Sequence, residues 1–438
     1  MSHLSVAKFG GTSVANYPAM QSCANIVIAD PNTRVVVLSA SAGITNLLVA
    51  LANGCEEAER NKLLNEVRQI QENILTELKD DSRVRPKIEA LLANITSLAE
   101  AANLATSLAL TDELISHGEM MSSLIFVEVL RELQIEATWL DVRTIVATNS
   151  HFGKAAPNDE QTRQNCNNVL KPLIECGELV ITQGFIGRDE QGKTTTLGRG
   201  GSDYSAALLA EVLNAQDVLI WTDVAGIYTT DPRIVSNAQR IDTMSFSEAA
   251  EMATFGAKVL HPATLLPAVR SNIPVYVGSS KAPQDGGTWV TRNPQPRPTF
   301  RAIALRRDQT LLTLSSLNML YAQGFLANIF TILAKHKISV DTITTSEVSV
   351  ALTLDKTGSA SSGKSLLSQE LIEELSQFCT VKVDTGLSLV ALIGNELHTA
   401  SGVAKRIFET LDAYNIRMIS YGASTNNICL LADSDKAD

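Results

Sequence analysis

The six cysteines are scattered along the 438 residues, and none belongs to a C-x-x-C pair. Paired, closely spaced cysteines are typical of structural zinc sites and of disulfide-stapled domains. The sequence therefore favours neither kind of site. We expect the thiols to be reduced.

A long apolar run and a positive net charge are also missing. No run approaches the roughly 20 residues that cross a bilayer, and the N-terminus lacks the charged and apolar regions of a signal peptide, so we expect a cytoplasmic protein without membrane partners. The net charge of -11 argues against nucleic-acid binding, since a basic surface is what displaces counterions. Small-molecule chemistry is the better expectation.

Short apolar runs alternate with helical patterns over about the first 290 residues. The segments RVVVLSASAG (34–43), ELVITQGFIG (178–187) and DVLIWTDVAG (217–226) are typical of strands buried on both faces. Residues 56–106 are charged and helical, with an interruption at Pro86, and predict a peripheral insertion. This pattern predicts an α/β fold in which helices sandwich a mainly parallel sheet.

A Pro- and Gly-rich stretch at 281–300 predicts a linker, and an internal repeat follows it. A shift of 78 residues superposes Gly324 on Gly402 and Ile338 on Ile416. Each copy predicts a glycine-opened helix and two strands, hence two α+β modules. The second copy stops early, so it either borrows an element or lacks its last helix. The predicted domains are 1–292 and 293–438, with modules at about 311–386 and at about 387–438 plus a strand near 300–308.

Two glycine loops compete as a phosphate-binding element. VAKFGGTS (6–13) offers Lys8 as a cation and Gly10 and Gly11 as amides that an anion can approach, but a tight turn after an edge strand is an equal alternative. GSASSGKS (358–365) matches the G-x-x-x-x-G-K-S pattern. A P-loop domain also needs a multi-stranded parallel sheet downstream, and only 73 residues remain, so we expect a surface loop there.

Two further segments carry charges suited to an anionic substrate. In TTTLGRGGSDYSAALLAEVL (194–213), Arg199 precedes a predicted helix start, where free amides bind anions. Asp203 would orient lysines or an ammonium group there, or else act as an N-cap. In LTDELISHGEMMSSLIF (110–126), Glu119 lies among apolar residues. An unpaired carboxylate is costly there, so the sequence predicts a cationic ligand or a lysine partner.

Two more segments suit a nucleotide. WTDVAGIYTTDPR (221–233) follows a predicted buried strand and carries Thr222, Asp223, Tyr228 and Arg233, as expected at the carboxyl end of a parallel sheet. FGAKVLHP (255–262) adds Lys258 as a second phosphate lysine.

In this order, KFGGTS, SASAGITN, ELISHGEMMS, LGRGGSDYSA, WTDVAGIYTTDPR and MATFGAKVLHP resemble the amino acid kinase family. Within it the chain is similar to the monofunctional, lysine-sensitive aspartate kinases, whose catalytic domain precedes tandem ferredoxin-like ACT domains. The resemblance implies transfer of the γ-phosphoryl group of ATP to the side-chain carboxylate of L-aspartate. The product would be 4-phospho-L-aspartate, on the route to lysine, threonine and methionine.

The resemblance also implies roles for residues. Lys8 and Lys258 would stabilise the transferring phosphoryl group, with Asp203 organising the lysines and Mg²⁺ bridging the phosphates without a legible carboxylate cage. The implied aspartate contacts are Ser39, Thr45, Glu119, Arg199, Gly200, Ser202 and Asp203. The implied nucleotide contacts are Lys8, Gly10, Gly11, Thr222, Asp223, Tyr228, Arg233 and Lys258.

The first module would bind L-lysine as a feedback inhibitor. The matching positions are Met319, Ala322, Gly324, Phe325, Leu326, Asp341, Ser346 and Glu347. Relatives commonly carry serine where this chain has Ala322, so weaker inhibition is expected. The ACT region would also form a homodimer or tetramer.

Two alternatives remain open at the level of sequence. One is another kinase of this fold, acting on glutamate, N-acetylglutamate or a nucleotide, which the LGRGGSDYSA motif and the repeat disfavour. The other is a non-catalytic amino-acid sensor, which retention of Lys8, Arg199, Asp203 and Lys258 disfavours.

Overall fold

The computed structural model describes residues 3–256, 260, 265–320, 323–354 and 367–438. These residues form two compact units. The first contains the described residues up to Ile227, with 240–249 and the described part of 259–295. The second contains Tyr228–Gln239, the described part of 250–258 and the described residues from Pro296 onward.

The first unit is built on a sheet to which the described residues contribute eight strands. They are β1 (Ser5–Phe9), β2 (Thr33–Leu38), β3 (Thr138–Trp139), β4 (Val180–Gln183), β7 (Asp217–Thr222), β8 (Thr243–Ser245), β9 (Val275–Ser279) and β10 (Gly287–Thr291), while β5 (Ile186–Arg188) and β6 (Thr194–Thr196) form a separate hairpin. The spatial order is β3-β4-β2-β1-β7-β9-β10-β8. The first six strands run parallel, and β10 reverses the direction against β9. The predicted mainly parallel sheet is confirmed.

Strand β1 lies in the middle of this sheet, between β2 and β7. All five of its residues are buried, which explains the uninterrupted apolar character around Lys8. The interpretation of VAKFGGTS as a turn after an edge strand is therefore wrong.

Helices cover both faces of the sheet, as predicted. The described helices from Tyr17 to Arg270 are α1 (Tyr17–Ala29), α2 (Ile44–Ala52), α3 (Glu57–Leu75), α4 (Arg85–Leu104), α5 (Leu108–Glu132), α6 (Asp159–Asn165), α7 (Lys171–Glu175), α8 (Gly201–Leu213), α9 (Phe246–Thr254) and α10 (Leu266–Arg270). Phe9 of β1 packs on Phe126 of α5, with ring centroids 6.2 Å apart, whereas its neighbour Lys8 points to α8 on the opposite face. Pro86 lies in the first turn of α4, where its missing N–H costs nothing, and the helical break precedes it.

In the second unit, two modules share one antiparallel sheet. Its described strands are β11 (Phe300–Ser315), β12 (Val340–Thr345), β13 (Ser349–Leu354), β14 (Thr380–Gly394), β15 (Ile416–Tyr421) and β16 (Asn427–Asp433), with helices α11 (Phe325–Lys335), α12 (Gln369–Ser376) and α13 (Val403–Thr410). The order is β12-β13-β11-β14-β16-β15. Residues 300–306 of β11 pair with the second half of β14, and 309–315 pair with its first half and with β13. The second copy thus borrows its fourth strand from the segment before the first copy.

Gly184 permits the close approach of β4 to the start of α8. A Cβ at this position would lie 2.6 Å from the Cβ and 2.7 Å from the Cα of Ser202. We expect Gly184→Ala to lower the free energy of unfolding in urea by about 2 kcal/mol, because one of the two backbones must move. Gly192→Ala is the control, since Gly192 has positive φ but no atom within 4 Å of an added Cβ. A Gly184 variant no less stable than the control would contradict this packing argument.

Candidate functional site

The site lies at the edge of the first unit's sheet where the parallel strands end. Gly10 follows β1, Ser39 follows β2, Gly184 follows β4 and Asp223 follows β7. Ligands of parallel α/β sheets bind outside the carboxyl ends of the strands. The strand order therefore brings motifs that are spread between residues 10 and 223 of the sequence to one edge of the sheet.

The loop after β1 is held against the loop after β2. A Cβ on Gly11 would lie 2.7 Å from the carbonyl oxygen of Ala40, and Gly11 accepts a hydrogen bond from the N–H of Ala42 at 3.1 Å. Gly11 also begins a short 3-10 turn, whose first N–H groups have no partner inside the turn. Gly10 differs from the expectation, because its N–H already donates to Trp221 at 3.0 Å and is not left for a phosphate.

Lys8 and Asp203 form a buried ion pair at this edge. The Lys8 Nζ lies 2.6 Å from Asp203 Oδ1, and Lys8 is only 8 % exposed. Asp203 stands in the first turn of α8, whose N-cap is Gly200, and caps no backbone N–H there. The N-cap alternative is therefore wrong, and the carboxylate instead fixes the position of the ammonium group.

Glu119 of α5 is a buried carboxylate with unused bonding capacity. The N–H of Ala40 donates to it, yet its Oε2 is buried without a hydrogen-bond partner among the described residues. Burial raises the pKa of Glu119 to about 8, and the charge of Lys8 opposes this shift only weakly. The lysine salt bridge considered for Glu119 is absent from the described part of the chain, so a cation from outside would complete the site.

Arg199 projects from a turn made by two glycines. Gly198 and Gly200 have φ of +75° and +73°, a left-handed conformation that glycine adopts without strain. The Arg199 side chain is exposed, and no carboxylate of a described residue pairs with it. Its guanidinium is free to bind an incoming carboxylate.

Three smaller side chains complete this edge. Ser202 is half-buried in the first turn of α8, against Gly184. Ser39 and Thr45 are half-buried in the loop after β2 and the first turn of α2. Sequence reasoning missed Ser41, whose buried Oγ has no partner among the described residues. The sequence feature that could have identified Ser41 is its position in SASAG, among small residues that follow a buried strand.

The predicted nucleotide residues fall in two places. Thr222 ends β7 in the first unit and donates its hydroxyl to Asp223 at 3.3 Å. Tyr228 and Arg233 belong to the second unit, and there Arg233 forms an exposed ion pair with Asp231. Lys258, like the GSASSGKS loop, lies outside the described residues.

The predicted lysine contacts belong to the second unit. Gly324 is the N-cap of α11 with φ of +82°, and Phe325 packs edge-on against Phe378 at 5.5 Å. Asp341 lies 3.2 Å from Arg306 in an ion pair. The exposed or half-exposed members are Met319, Leu326, Ser346 and Glu347. Ala322 lies outside the described residues.

No three His, Cys, Asp or Glu side chains in the described ranges are arranged to hold a metal ion. Among the helices that the structure describes, none is both long and apolar enough to span a membrane.

Comparison with known proteins identifies the family. Residues 3–279 match the model of the amino acid kinase family, and residues 390–438 match that of the ACT domain. The lysine-sensitive aspartokinase 3 of Escherichia coli is 62% identical over 438 residues, which is 100% of this chain and 97% of that protein. This chain belongs to the aspartokinases of the amino acid kinase family.

Solved aspartokinase structures have the same fold. The E. coli aspartokinase III complex with aspartate and ADP, in the R-state, superposes with a TM-score of 0.89 and covers 99% of this chain and 97% of that one. The complex with lysine and aspartate, in the T-state, gives 0.88, with 100% and 97% covered. Both are 62% identical to this aspartokinase-family chain, so sheet order, helices and paired modules are features of the family.

Proposed function

We propose that this chain transfers the γ-phosphoryl group of ATP to the side-chain carboxylate of L-aspartate and that L-lysine inhibits the reaction. The observation that carries the proposal is that a buried cation and a separate, incompletely bonded buried carboxylate lie at the same edge of the sheet. Lys8 is held by Asp203 at 2.6 Å, and Glu119 Oε2 has no partner among the described residues. The relative with 62% identity is named a lysine-sensitive aspartokinase.

The chemical task is to bring two anions together. The acceptor carboxylate is ionised at neutral pH, so the reaction needs no general base. It needs positive charge at the oxygens of the transferring group and a fixed in-line approach. Lys8 supplies that charge, with Lys258 as the second lysine and with Asp203 preventing Lys8 from turning away. The N–H of Gly11 faces the phosphates.

Aspartate is recognised by its two backbone charges. Glu119 binds the α-ammonium group, and Arg199 binds the α-carboxylate through its guanidinium. Ser39, Thr45, Gly200 and Ser202 surround the rest of the molecule. The side-chain carboxylate then points to Lys8.

ATP would bind at the end of β7, with contacts to Thr222 and Asp223. Mg²⁺ accompanying the nucleotide would neutralise phosphate charge. In the described ranges, no group of three His, Cys, Asp or Glu side chains is arranged to hold a metal ion.

Residues 1–292 form the catalytic domain in this proposal, and 293–438 form the regulatory region. Lysine would bind the first module, with Asp341 or Glu347 meeting an ammonium group and the start of α11 facing the carboxylate. A homodimer or tetramer through the ACT region would link this site to the catalytic domain.

A hydroxamate assay with ATP tests the proposal, since hydroxylamine captures an acyl phosphate. We expect hydroxamate from L-aspartate but not from L-glutamate or N-acetylglutamate, and less of it when L-lysine is added. Lys364→Ala, in GSASSGKS, should leave the rate unchanged.

The other possible results of this assay refute different parts of the proposal. No hydroxamate from aspartate would refute the activity, and no response to lysine would refute only the regulation. Loss of activity in a folded Lys364→Ala protein would restore the P-loop interpretation.

A further inference from the structure

Helix α5 carries two buried carboxylates on one face. Asp112 and Glu119 are seven residues apart, which is about two helical turns. Both are almost wholly buried, with exposed fractions of 0 % and 3 %. Glu119 has the proposed role of binding the substrate ammonium group, whereas the proposed reaction gives Asp112 no task.

Both carboxylate oxygens of Asp112 accept hydrogen bonds from uncharged donors in two other segments. Its Oδ2 accepts from the N–H of Thr196 at 2.8 Å, and its Oδ1 accepts from the hydroxyl of Thr196 at 2.8 Å. The N–H of Gly153 lies within 3.0 Å of both oxygens. Burial raises the pKa of Asp112, and these bonds counteract the shift. Only a carboxylate, with acceptors on both oxygens, satisfies all of these donors.

Both segments bound by Asp112 support the turn that holds Arg199, one because it continues into the turn and the other because it contacts the turn. Thr196 ends β6, and Arg199 follows three residues later. The two segments are also bonded to each other, because the N–H of Ala155 donates to Thr196 at 2.8 Å. A Cβ at Gly198 would be 3.3 Å from the carbonyl oxygen of Gly153. The turn therefore rests on the strand and loop that α5 fixes.

We infer that Asp112 is a positioning residue, which sets the distance between Arg199 and Glu119 so that together they fit the two backbone charges of an α-amino acid. The same rigid helix carries Glu119 and fixes the segment that carries Arg199. The inference rests on the proposed function, because it assigns the spacing to a zwitterionic substrate. The proposed nucleotide contacts include none of these residues.

Steady-state kinetics of full-length Asp112→Asn test the inference. The amide offers a donor where Thr196 and Gly153 also offer donors, so the turn loses its anchor. We expect KM for aspartate to rise about tenfold or more, with kcat and KM for ATP within about twofold of wild type. Thr196→Val removes the hydroxyl alone and should give a smaller rise. Calorimetric titration with aspartate should show the same order.

Asp189→Asn is the matched control. Asp189 is also buried, and at 2.8–3.0 Å it accepts from Gln191 and Lys193 in the turn of the β5–β6 hairpin and from Ser150 in the loop that contains Gly153. It has no bond to α5, so its variant should retain the wild-type KM for aspartate.

An unchanged KM for aspartate in folded Asp112→Asn would overturn the inference. So would equal changes in the KM values for aspartate and ATP, or a rise of the same size in Asp189→Asn. Absence of wild-type turnover would refute the proposed function instead.

Discussion

Lys8→Ala is expected to lower kcat by about three orders of magnitude, with KM for ATP within severalfold of wild type. In the proposed reaction the Nζ of Lys8 stabilises the transferring phosphoryl group, and its removal takes away charge stabilisation that matters most in the transition state. The variant also leaves Asp203, now without its partner at 2.6 Å, facing the incoming phosphates. Steady-state hydroxamate kinetics measure the effect.

A double-mutant cycle separates the loss of the Lys8 charge from the repulsion by the unpaired Asp203 carboxylate. Asp203→Asn alone should cost less than Lys8→Ala, and the double variant should be no worse than Lys8→Ala, because the repulsive carboxylate has gone. Lys335→Ala is the control, since that lysine is 61% exposed and pairs with Glu374 on the surface of the second unit. Retention of more than about a tenth of wild-type kcat by folded Lys8→Ala would contradict the role of Lys8.

Local patterns were enough to predict the parallel sheet and to single out several candidate site residues. The run of β-branched residues in β2 and the apolar β1 follow directly from burial on both faces. Lys8 and Asp203 can be singled out from the sequence because Lys8 is a charged residue near the end of an apolar strand and Asp203 is a charged residue near the start of a helix. Their separation of 2.6 Å follows from the parallel order of β1, β2 and β4, which no single motif contains.

Other features depend on contacts between distant segments. The engagement of the Gly10 N–H by Trp221 arises from the pairing of β1 with β7. The donors to Asp112 come from residues 153 and 196. The repeat was visible as a shift of 78 residues, and a strand near 300–308 was predicted for the second copy, but the pairing of β11 with both halves of β14 was not predicted. The second copy looks incomplete in sequence because its last strand comes from residues 300–306, which precede the first copy in the chain.

Glu119→Gln is expected to raise KM for aspartate by about a hundredfold or more. A buried charge that pairs with an ammonium group is worth several kcal/mol when one partner is removed, and glutamine offers the ammonium only a neutral oxygen. KM for ATP should stay within a few fold of wild type. Steady-state titration of each substrate measures the difference, and equal increases in both KM values would argue against a specific ammonium site.

The same carboxyl predicts how aspartate binding depends on pH. In the free protein, burial raises the pKa of Glu119 to about 8, so the group is largely protonated at neutral pH. An ammonium group favours the ionised form, and binding must therefore release a proton. KM for aspartate should fall as pH rises from 6 to 8 and then level off. In Glu119→Gln this dependence should be absent.

The contribution of Glu119 to the free energy of unfolding of the ligand-free protein should fall as pH rises, whereas aspartate binding should improve. The folded-state pKa of Glu119, about 8, lies above its usual 4.5, so its contribution is fully present below the usual pKa and is lost as pH rises through 8. Glu119→Gln should therefore match wild type in urea unfolding at pH 5 and exceed it at pH 8.5, because a tenfold difference in proton affinity between the folded and unfolded states corresponds to about 1.4 kcal/mol. A wild-type protein that gained stability over the variant with rising pH would contradict the assignment. In the free protein the ionised form of Glu119 is thus destabilised by burial, and in the proposed complex the ammonium group of aspartate would stabilise it.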